Sequence, residues 1–435
     1  MTDYIVVGGG VAGLVVAREL AIGGAGVTLL EASPRLGGTV SSHTVGGLIL
    51  DSGAESFATR GGTVAALAEE IGLGPEIVTP GPDGAWLQRV EGAVPLPATS
   101  LLGIPGWPVA SDVIAVVGQG TALRAYLETL LPAAYGMKSK TLGELVRKRM
   151  GQNMLDKLVA PVVQGVHSKH PDDLDLDRVA PGLRRAMRRE RSLARAVREL
   201  RASAPAGSAV AGIRGGVHRL VIELAVDLER LGVDIRLGQR VLHVTPGSVQ
   251  TASETLGGTV VVAAPDVPGA AHKSTGTATR VALATLVLDA PELDAFPRGS
   301  GLLVAEGVPG IRARALTHST AKWPWLAERA EGKHVVRLSY DPANTTELPE
   351  TARADAAALL GVELPASSVL DFARVDWSRP PAQGAAHDQI TLVGEATSGT
   401  GLTSVIAQAK AAAAALLEAE LAEVPDPVDP DPATD

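Results

Sequence analysis

Three glycines and one carboxylate carry the first chemical signal in this chain. Gly8-x-Gly10-x-x-Gly13 follows the apolar run 3–7 and leads through Val11 and Ala12 into an apolar helical pattern. In such a turn the first glycine permits a tight reversal and the second lets a pyrophosphate reach the backbone. The third lets helix and strand pack closely, and the helix N-terminus adds partial positive charge. Glu31 ends the next apolar run, where a carboxylate accepts hydrogen bonds from an adenosine ribose and disfavours a 2′-phosphate. The pattern predicts a dinucleotide site on Gly8, Gly10, Val11, Ala12, Gly13 and Glu31. By itself it does not separate NAD from FAD.

The elements that must position these residues read as a strand at 3–7, a helix at 11–22 and a strand at 26–31. That is one βαβ unit, which requires a parallel sheet. A helix follows at 63–72, then a Pro- and Gly-crowded stretch at 75–108 that reads as loops and short strands. Residues 110–200 look helical, and 213–232 reads as a Gly-led amphipathic helix followed by strands at 233–244 and 259–263. Strand patterns return at 280–289, 301–305 and 333–340, and a last buried strand at 390–394 leads into a long helix from about Thr403. The tail from Pro425 alternates Pro and Asp and reads as disordered.

Composition narrows the chemistry. The 435 residues include 49 Gly and no Cys, so thiolate zinc, iron–sulfur clusters, cysteine nucleophiles and a sulfur-tethered flavin are all excluded. Aromatic residues at 3% and a net charge of −9 argue against a nucleic-acid surface. The first apolar stretch carries Asp3 ahead of it and three interrupting glycines, Gly8 to Gly10, so it reads as strand and turn and not as a signal peptide. No uninterrupted apolar window of about 18 residues occurs, and a cytoplasmic location is expected.

Three further segments point to FAD. Glu31-Ala32-Ser33-Pro34-Arg35-Leu36-Gly37-Gly38 places a permanent cation where it can face a pyrophosphate, with two glycines that let the chain pass close to the ribityl and ring. Residues 51–57 contain Gly53, Ala54, Glu55 and Ser56. Leu392-Val393-Gly394-Glu395 ends a strand pattern in a carboxylate able to bind a ribityl hydroxyl. Gly399, Gly401, Leu402, Thr403 and Val405 then start a helix whose amides would favour negative charge on a reduced flavin. The first of these resembles the E-x-x-x-R-x-G-G signature of the flavin-containing amine oxidase superfamily. The other two resemble the flavin-adjacent stretch and closing FAD motif of its protoporphyrinogen and coproporphyrinogen III oxidase family. Residues 142–166, Arg214-Gly215-Gly216-Val217-x-x-Leu220 and Ser319-Thr320-Ala321-Lys322-Trp323-Pro324 extend the resemblance, whose closing motif is similar to the bacterial, actinobacterial type.

The resemblance implies an α/β fold: a discontinuous, glutathione-reductase-like FAD-binding Rossmann-like domain (1–78, 205–275 and 388–423). A mixed α+β substrate domain (79–204 and 276–387) would complete it, with a helical excursion at about 95–200 and a disordered tail at 424–435. It also places Thr39 and Val241 at a non-covalent FAD. The implied activity is FAD-dependent oxidation of coproporphyrinogen III to coproporphyrin III, with dioxygen as acceptor and hydrogen peroxide as product. Protoporphyrinogen IX is the alternative substrate, and an amine oxidase, a carotenoid desaturase or a non-catalytic flavin- or porphyrin-binding protein are the rivals. The scarcity of aromatic residues speaks against the aromatic cage that an amine oxidase needs. No catalytic side chain is expected, because the flavin carries the chemistry and positioning does the rest.

A porphyrinogen brings carboxylates, so local cations become candidates. Arg60 would face the ring edge or brace the FAD loop, and Lys322 would face substrate or form a surface salt bridge. His167 and His170 share a helical face but lack a third ligand, so no metal site is expected. Residues 183–201 hold eight Arg and two Glu, a basic helix that is either a solvated face or a contact for a membrane surface or a haem-pathway partner. The segment Trp377 to Gln383 resembles the family's W-x-x-A-x-P-Q, yet the helix that normally follows it, after His387, is missing.

Overall fold

The computed structural model describes residues 3–167, 169–202, 210–270, 278–344, 347–379, 389–399 and 401–423. The expected tail at 424–435 and the segment around His387 lie outside these residues.

The strand Asp3–Val7, the helix Val11–Ile22 and the strand Gly26–Leu30 form as the apolar pattern requires. Asp3–Val7 pairs in parallel with Gly26–Leu30 on one side and with Thr259–Val262 on the other. Asp234–Arg236 and Thr391–Leu392 extend the sheet outward to five parallel strands. Consecutive connections therefore leave the first strand in opposite directions. A crevice opens beyond the strand ends at such a reversal point, and ligands of open α/β sheets bind there.

Period-two alternation distributes the sheet between two cores. Tyr4, Val6, Leu29 and Val261 face the helices, whereas Ile5, Val7, Leu30, Val260 and Val262 face a three-stranded meander over 241–257. The helix Val11–Ile22 is apolar all round, as a helix buried on most sides must be. Its one buried charge, Arg18, is met by Asp227 at 2.6 Å and Glu70 at 3.0 Å.

A second sheet of seven strands carries Val369–Arg379, Thr279–Leu288, His334–Tyr340, Ala315–His318, Gly301–Val304, Ala85–Arg89 and Gly92–Pro95, in that order. It is antiparallel except where Gly301–Val304 runs parallel to Ala85–Arg89. One face packs on the helix Leu348–Leu360, and the other places Val287 and Val335 against Trp323, Leu326, Val45, Leu48 and Leu50. A third core is helical, and its buried residues run from Val113 to Val197 with Leu87 and Ile104.

Two elements differ from expectation. The helix expected at 213–232 starts only at Arg219, because Gly215 and Gly216 have φ of 88° and 113° and form a turn. The carboxylate of Asp51 accepts from the amides of Val217 and His218, at 2.8 and 2.9 Å, and so serves the helix start. The basic segment 183–201 is two helices, Leu183–Glu190 and Leu193–Ala202, broken at Arg191 with φ of 60°. Glu128 is buried at that break. It accepts from the amides of Leu193 and Ala194 at 3.1 Å each and pairs with the buried Arg149 at 2.6 Å. The closing helix, Leu402–Glu423, is by length and composition alone long and apolar enough from Leu402 to Ala422 to span a bilayer. Here it lays Ile406, Ala409 and Ala413 into the core, and Lys410 pairs with Glu70 at 2.7 Å.

Candidate functional site

Most of the sequence-predicted site residues lie in four segments, 8–13, 31–39, 53–56 and 394–405, and the fold brings these side by side at the reversal point of the parallel sheet. Gly8, with φ of 108°, donates its amide to Leu30 at the end of the neighbouring strand. A Cβ at Gly13 would lie 1.9 Å from the Gly8 carbonyl oxygen, so helix and strand approach as only glycine allows. Gly37 donates to the Gly9 carbonyl at 2.8 Å, and a Cβ at Gly38 would lie 3.6 Å from the Gly10 Cα. The 31–39 segment therefore runs directly beside the glycine turn.

From there the contacts reach the other two segments. A Cβ at Gly53 would lie 1.7 Å from the Thr39 carbonyl oxygen, and Ala54 donates to that oxygen at 3.4 Å. Gly394, with φ of 109°, donates to Gln408 Oε1 at 2.9 Å, and a Cβ there would sit 3.6 Å from the Ala12 Cβ. Glu395 opens the short helix Glu395–Ser398. Thr403 Oγ1 donates to the Ala58 carbonyl at 3.2 Å, and Val405 donates to the Gly401 carbonyl, which ties the closing segment to residues just past Ser56. Leu402 packs against the helical core around Val11–Ile22.

Glu31 is more occupied than a free ribose ligand would be. Its two carboxylate oxygens accept from the amides of Gly9 and Ser33, each at 2.7 Å. Each oxygen keeps a further lone pair, so the carboxylate organises the turn and still presents acceptors. Gln239 donates to the Glu31 carbonyl at 2.9 Å, which brings the strand start at Val241 close to the same point. Ala32 and Arg35 are exposed on the rim of this segment.

These residues fit a dinucleotide. Gly10 and Gly401 face open space, with nothing within 4 Å of where a Cβ would stand. No side chain caps the N-terminus of Val11–Ile22, so its first amides are directed at the same open region.

The second sheet closes on the 51–55 segment from the other side. Trp377 Nε1 donates to the Ser52 carbonyl at 2.9 Å, and Arg337 Nη2 donates to the Gly53 carbonyl. Glu55 pairs with Lys322 at 2.7 Å, accepts from Ser319 Oγ at 3.3 Å and lies 3.6 Å from Arg337. Burial alone would raise the Glu55 pKa, but the charges of Lys322 and Arg337 and the hydrogen bonds from Lys322 and Ser319 outweigh it and hold the pKa below the ordinary value. Lys322 is thus not a surface lysine: 17% exposed, it is committed to Glu55. Arg60 is exposed, two residues beyond the Ala58 carbonyl that Thr403 holds.

Sequence reasoning missed Asp51, Arg337 and Arg178. A lone arginine in the apolar strand pattern 334–340 was the readable signal for Arg337. Arg178 gave none, since it stands among alternating acids. The guanidinium of Arg178 covers Gly399 and donates to the Thr397 carbonyl at 3.4 Å. His170 accepts from the Asp172 amide at 3.2 Å, the His167 side chain lies outside the described residues, and no metal-binding cluster occurs among them.

Residues 11–273 match the flavin containing amine oxidoreductase family model. Over 432 residues the chain is 29% identical to the coproporphyrinogen III oxidase of Mycobacterium leprae, covering 93% of each protein. It is 25% identical to the coproporphyrinogen III oxidase of Bacillus subtilis over 372 residues, 77% of this chain and 76% of that one. The cyclohexylamine oxidase of Brevibacterium oxydans superposes with a TM-score of 0.65 at 16% identity, covering 97% and 99% of the two chains. A crystal structure from Exiguobacterium sp. 255-15 superposes with a TM-score of 0.79 at 22% identity, covering 96% and 99%. At such identities the superpositions speak for the α/β fold with mixed sheets, which these oxidases share. A glycine cradle at the sheet's reversal point, an acid at the second strand's end and a match across most of the chain agree: the protein belongs to the flavin containing amine oxidoreductase family.

Proposed function

We propose that this protein oxidises coproporphyrinogen III to coproporphyrin III, with dioxygen as acceptor and hydrogen peroxide as product. The observation that carries the proposal is similarity to a coproporphyrinogen III oxidase along nearly the whole chain, including the second sheet and the helical core that a shared FAD site would not explain. The cofactor is FAD. When bound, it supplies the hydride-accepting chemistry that no side chain of this protein offers.

The residues around it bind, orient and exclude water. Gly8, Gly10, Gly13 and the first amides of Val11–Ile22 would hold the pyrophosphate, with Glu31 at the ribose and Arg35 on the rim. Gly53 to Ser56 and Gly394 to Val405 would border the ring system. Trp377 and Arg337 hold the Ser52 and Gly53 carbonyls and Lys322 holds Glu55, so the 51–55 stretch would offer a fixed surface against which a substrate plane can be positioned. We read the parallel sheet with its helices as the FAD-binding domain, over 1–78, 205–275 and 388–423. The seven-stranded sheet and helical core would be the substrate domain, over 79–204 and 276–387. A cytoplasmic location accords with this reading.

The deciding assay follows porphyrin fluorescence and peroxide release from anaerobically prepared coproporphyrinogen III after oxygen is admitted. Coproporphyrin III and peroxide should appear together, with three peroxides per porphyrin because six electrons leave the macrocycle. Faster turnover of protoporphyrinogen IX would replace the substrate. Peroxide from amines alone would overturn the porphyrinogen reading, and FAD-loaded protein inert toward all three would favour a binding protein.

A further inference from the structure

A substrate that carries several carboxylates requires cations that are free to meet them, and the described residues reduce the choice. Lys322 is already paired with Glu55 at 2.7 Å, and Arg337 is mostly buried between Glu55 and the Gly53 carbonyl. Arg178 differs on both counts. It is exposed, and among the described residues no carboxylate lies within ion-pairing distance of it.

Its placement is fixed by the backbone. Asp175 accepts from the Arg178 amide at 3.0 Å and caps the short helix Leu176–Val179, while Leu176 donates to the Lys140 carbonyl at 3.0 Å and is itself buried. The guanidinium then projects from the helical core onto the closing segment of the cofactor site. Its Nε and Nη2 stand 3.1 and 3.2 Å from where a Gly399 Cβ would be, and Nη2 donates to the Thr397 carbonyl. Glycine at 399 is what leaves room for the guanidinium plane. Nη2 has a backbone acceptor, while among the described residues the remaining donors of the fork have no carboxylate partner. Arg60 lies beyond the other end of the same segment, past Ala58, whose carbonyl holds Thr403.

We propose that Arg178 is a substrate-anchoring residue, taking one propionate-type carboxylate of a polycarboxylated tetrapyrrole at the edge of the cofactor site. This rests on the function proposed above for its ligand class, but it makes a separate claim about which cation holds the ligand. A charge-assisted, bidentate contact of this kind explains why an arginine stands there: a lysine would keep the charge and lose the fork.

The test uses the FAD-loaded full chain and two readouts. The first is equilibrium binding of coproporphyrin III, read by porphyrin fluorescence and independent of turnover. Arg178→Ala should weaken binding about 10- to 100-fold, Arg178→Lys should lie between, and both effects should vanish with the tetramethyl ester of the same porphyrin. The second is turnover. KM should rise in parallel while kcat stays within about twofold, as for an interaction made equally in ground and transition states. FAD content should be unchanged in both variants. Equal binding by wild type and Arg178→Ala would overturn the assignment. Loss of FAD with unchanged porphyrin binding would overturn it too, since Arg178 would then be only a latch on the closing segment. Arg178-dependent binding without any porphyrinogen oxidation would leave the anchor standing and remove the proposed reaction.

Discussion

The Glu55 cluster gives a prediction whose size follows from its geometry. Glu55 and Lys322 are each 17% exposed and 2.7 Å apart, with Arg337 at 3.6 Å, so one carboxylate serves two cations. Glu55→Gln removes the only carboxylate among these contacts and leaves two cations facing each other. Removing one partner of a buried pair costs about 3–5 kcal/mol, and the residual exposure places this case at about 3 kcal/mol. Lys322→Met is milder, because Glu55 keeps Arg337 and Ser319; about 1–2 kcal/mol is expected from the same principle. In the double variant Arg337 no longer faces a second cation, so the two losses should fall short of additivity by at least about 1 kcal/mol.

The pH dependence has a definite sign. The folded pKa of Glu55 lies below its ordinary 4.5, so its stabilisation is fully present above that value and is lost as pH falls through the lower folded pKa. The gap between wild type and Glu55→Gln should be level at neutral pH and close only in acid. Urea titration followed by circular dichroism, across pH, on all four proteins measures this. A Glu55→Gln variant as stable as wild type, or strictly additive losses, would refute the electrostatic reading.

Further outcomes follow from the other contacts. Gly13→Ala drives a Cβ to 1.9 Å from the Gly8 carbonyl oxygen, so the helix must retreat from the strand; the purified variant should carry little FAD by absorbance at the flavin band. Glu31→Gln can keep only one of its two backbone donors, at Gly9 or Ser33, and should weaken FAD about tenfold by titration of apoprotein. Glu128→Gln strips the fully buried Arg149 of its counter-charge and should lower stability by about 3–5 kcal/mol in urea titration, with FAD content intact in the folded protein.

How far the sequence reaches is clearest at the two ends of the site. The glycine turn, Glu31 and the strands around them were legible because each depends on local chemistry. A glycine is required where a Cβ would strike backbone, and period-two apolar runs make buried strands. The start of the 219–230 helix was not legible, because the side chain that serves its amides is Asp51, more than 160 positions earlier. The break in the basic helix was hidden for a similar reason: Glu128, from a separate helix, takes the amides of Leu193 and Ala194.

By itself the sequence determined that a glycine turn at Gly8 to Gly13 would join the first strand to the first helix, that a carboxylate would stand at the second strand's end, and that no thiol chemistry was available. Only the tertiary structure decided what each cation does. A lysine beside a tryptophan and an arginine among aspartates look equally available in one dimension. In three dimensions Lys322 is paired with a mostly buried carboxylate, while Arg178 meets a carbonyl over a glycine and has no carboxylate paired with it among the described residues. Charge pairing falls off steeply with distance, and distances between remote segments are set by packing of the sheets and helices, not by spacing along the chain.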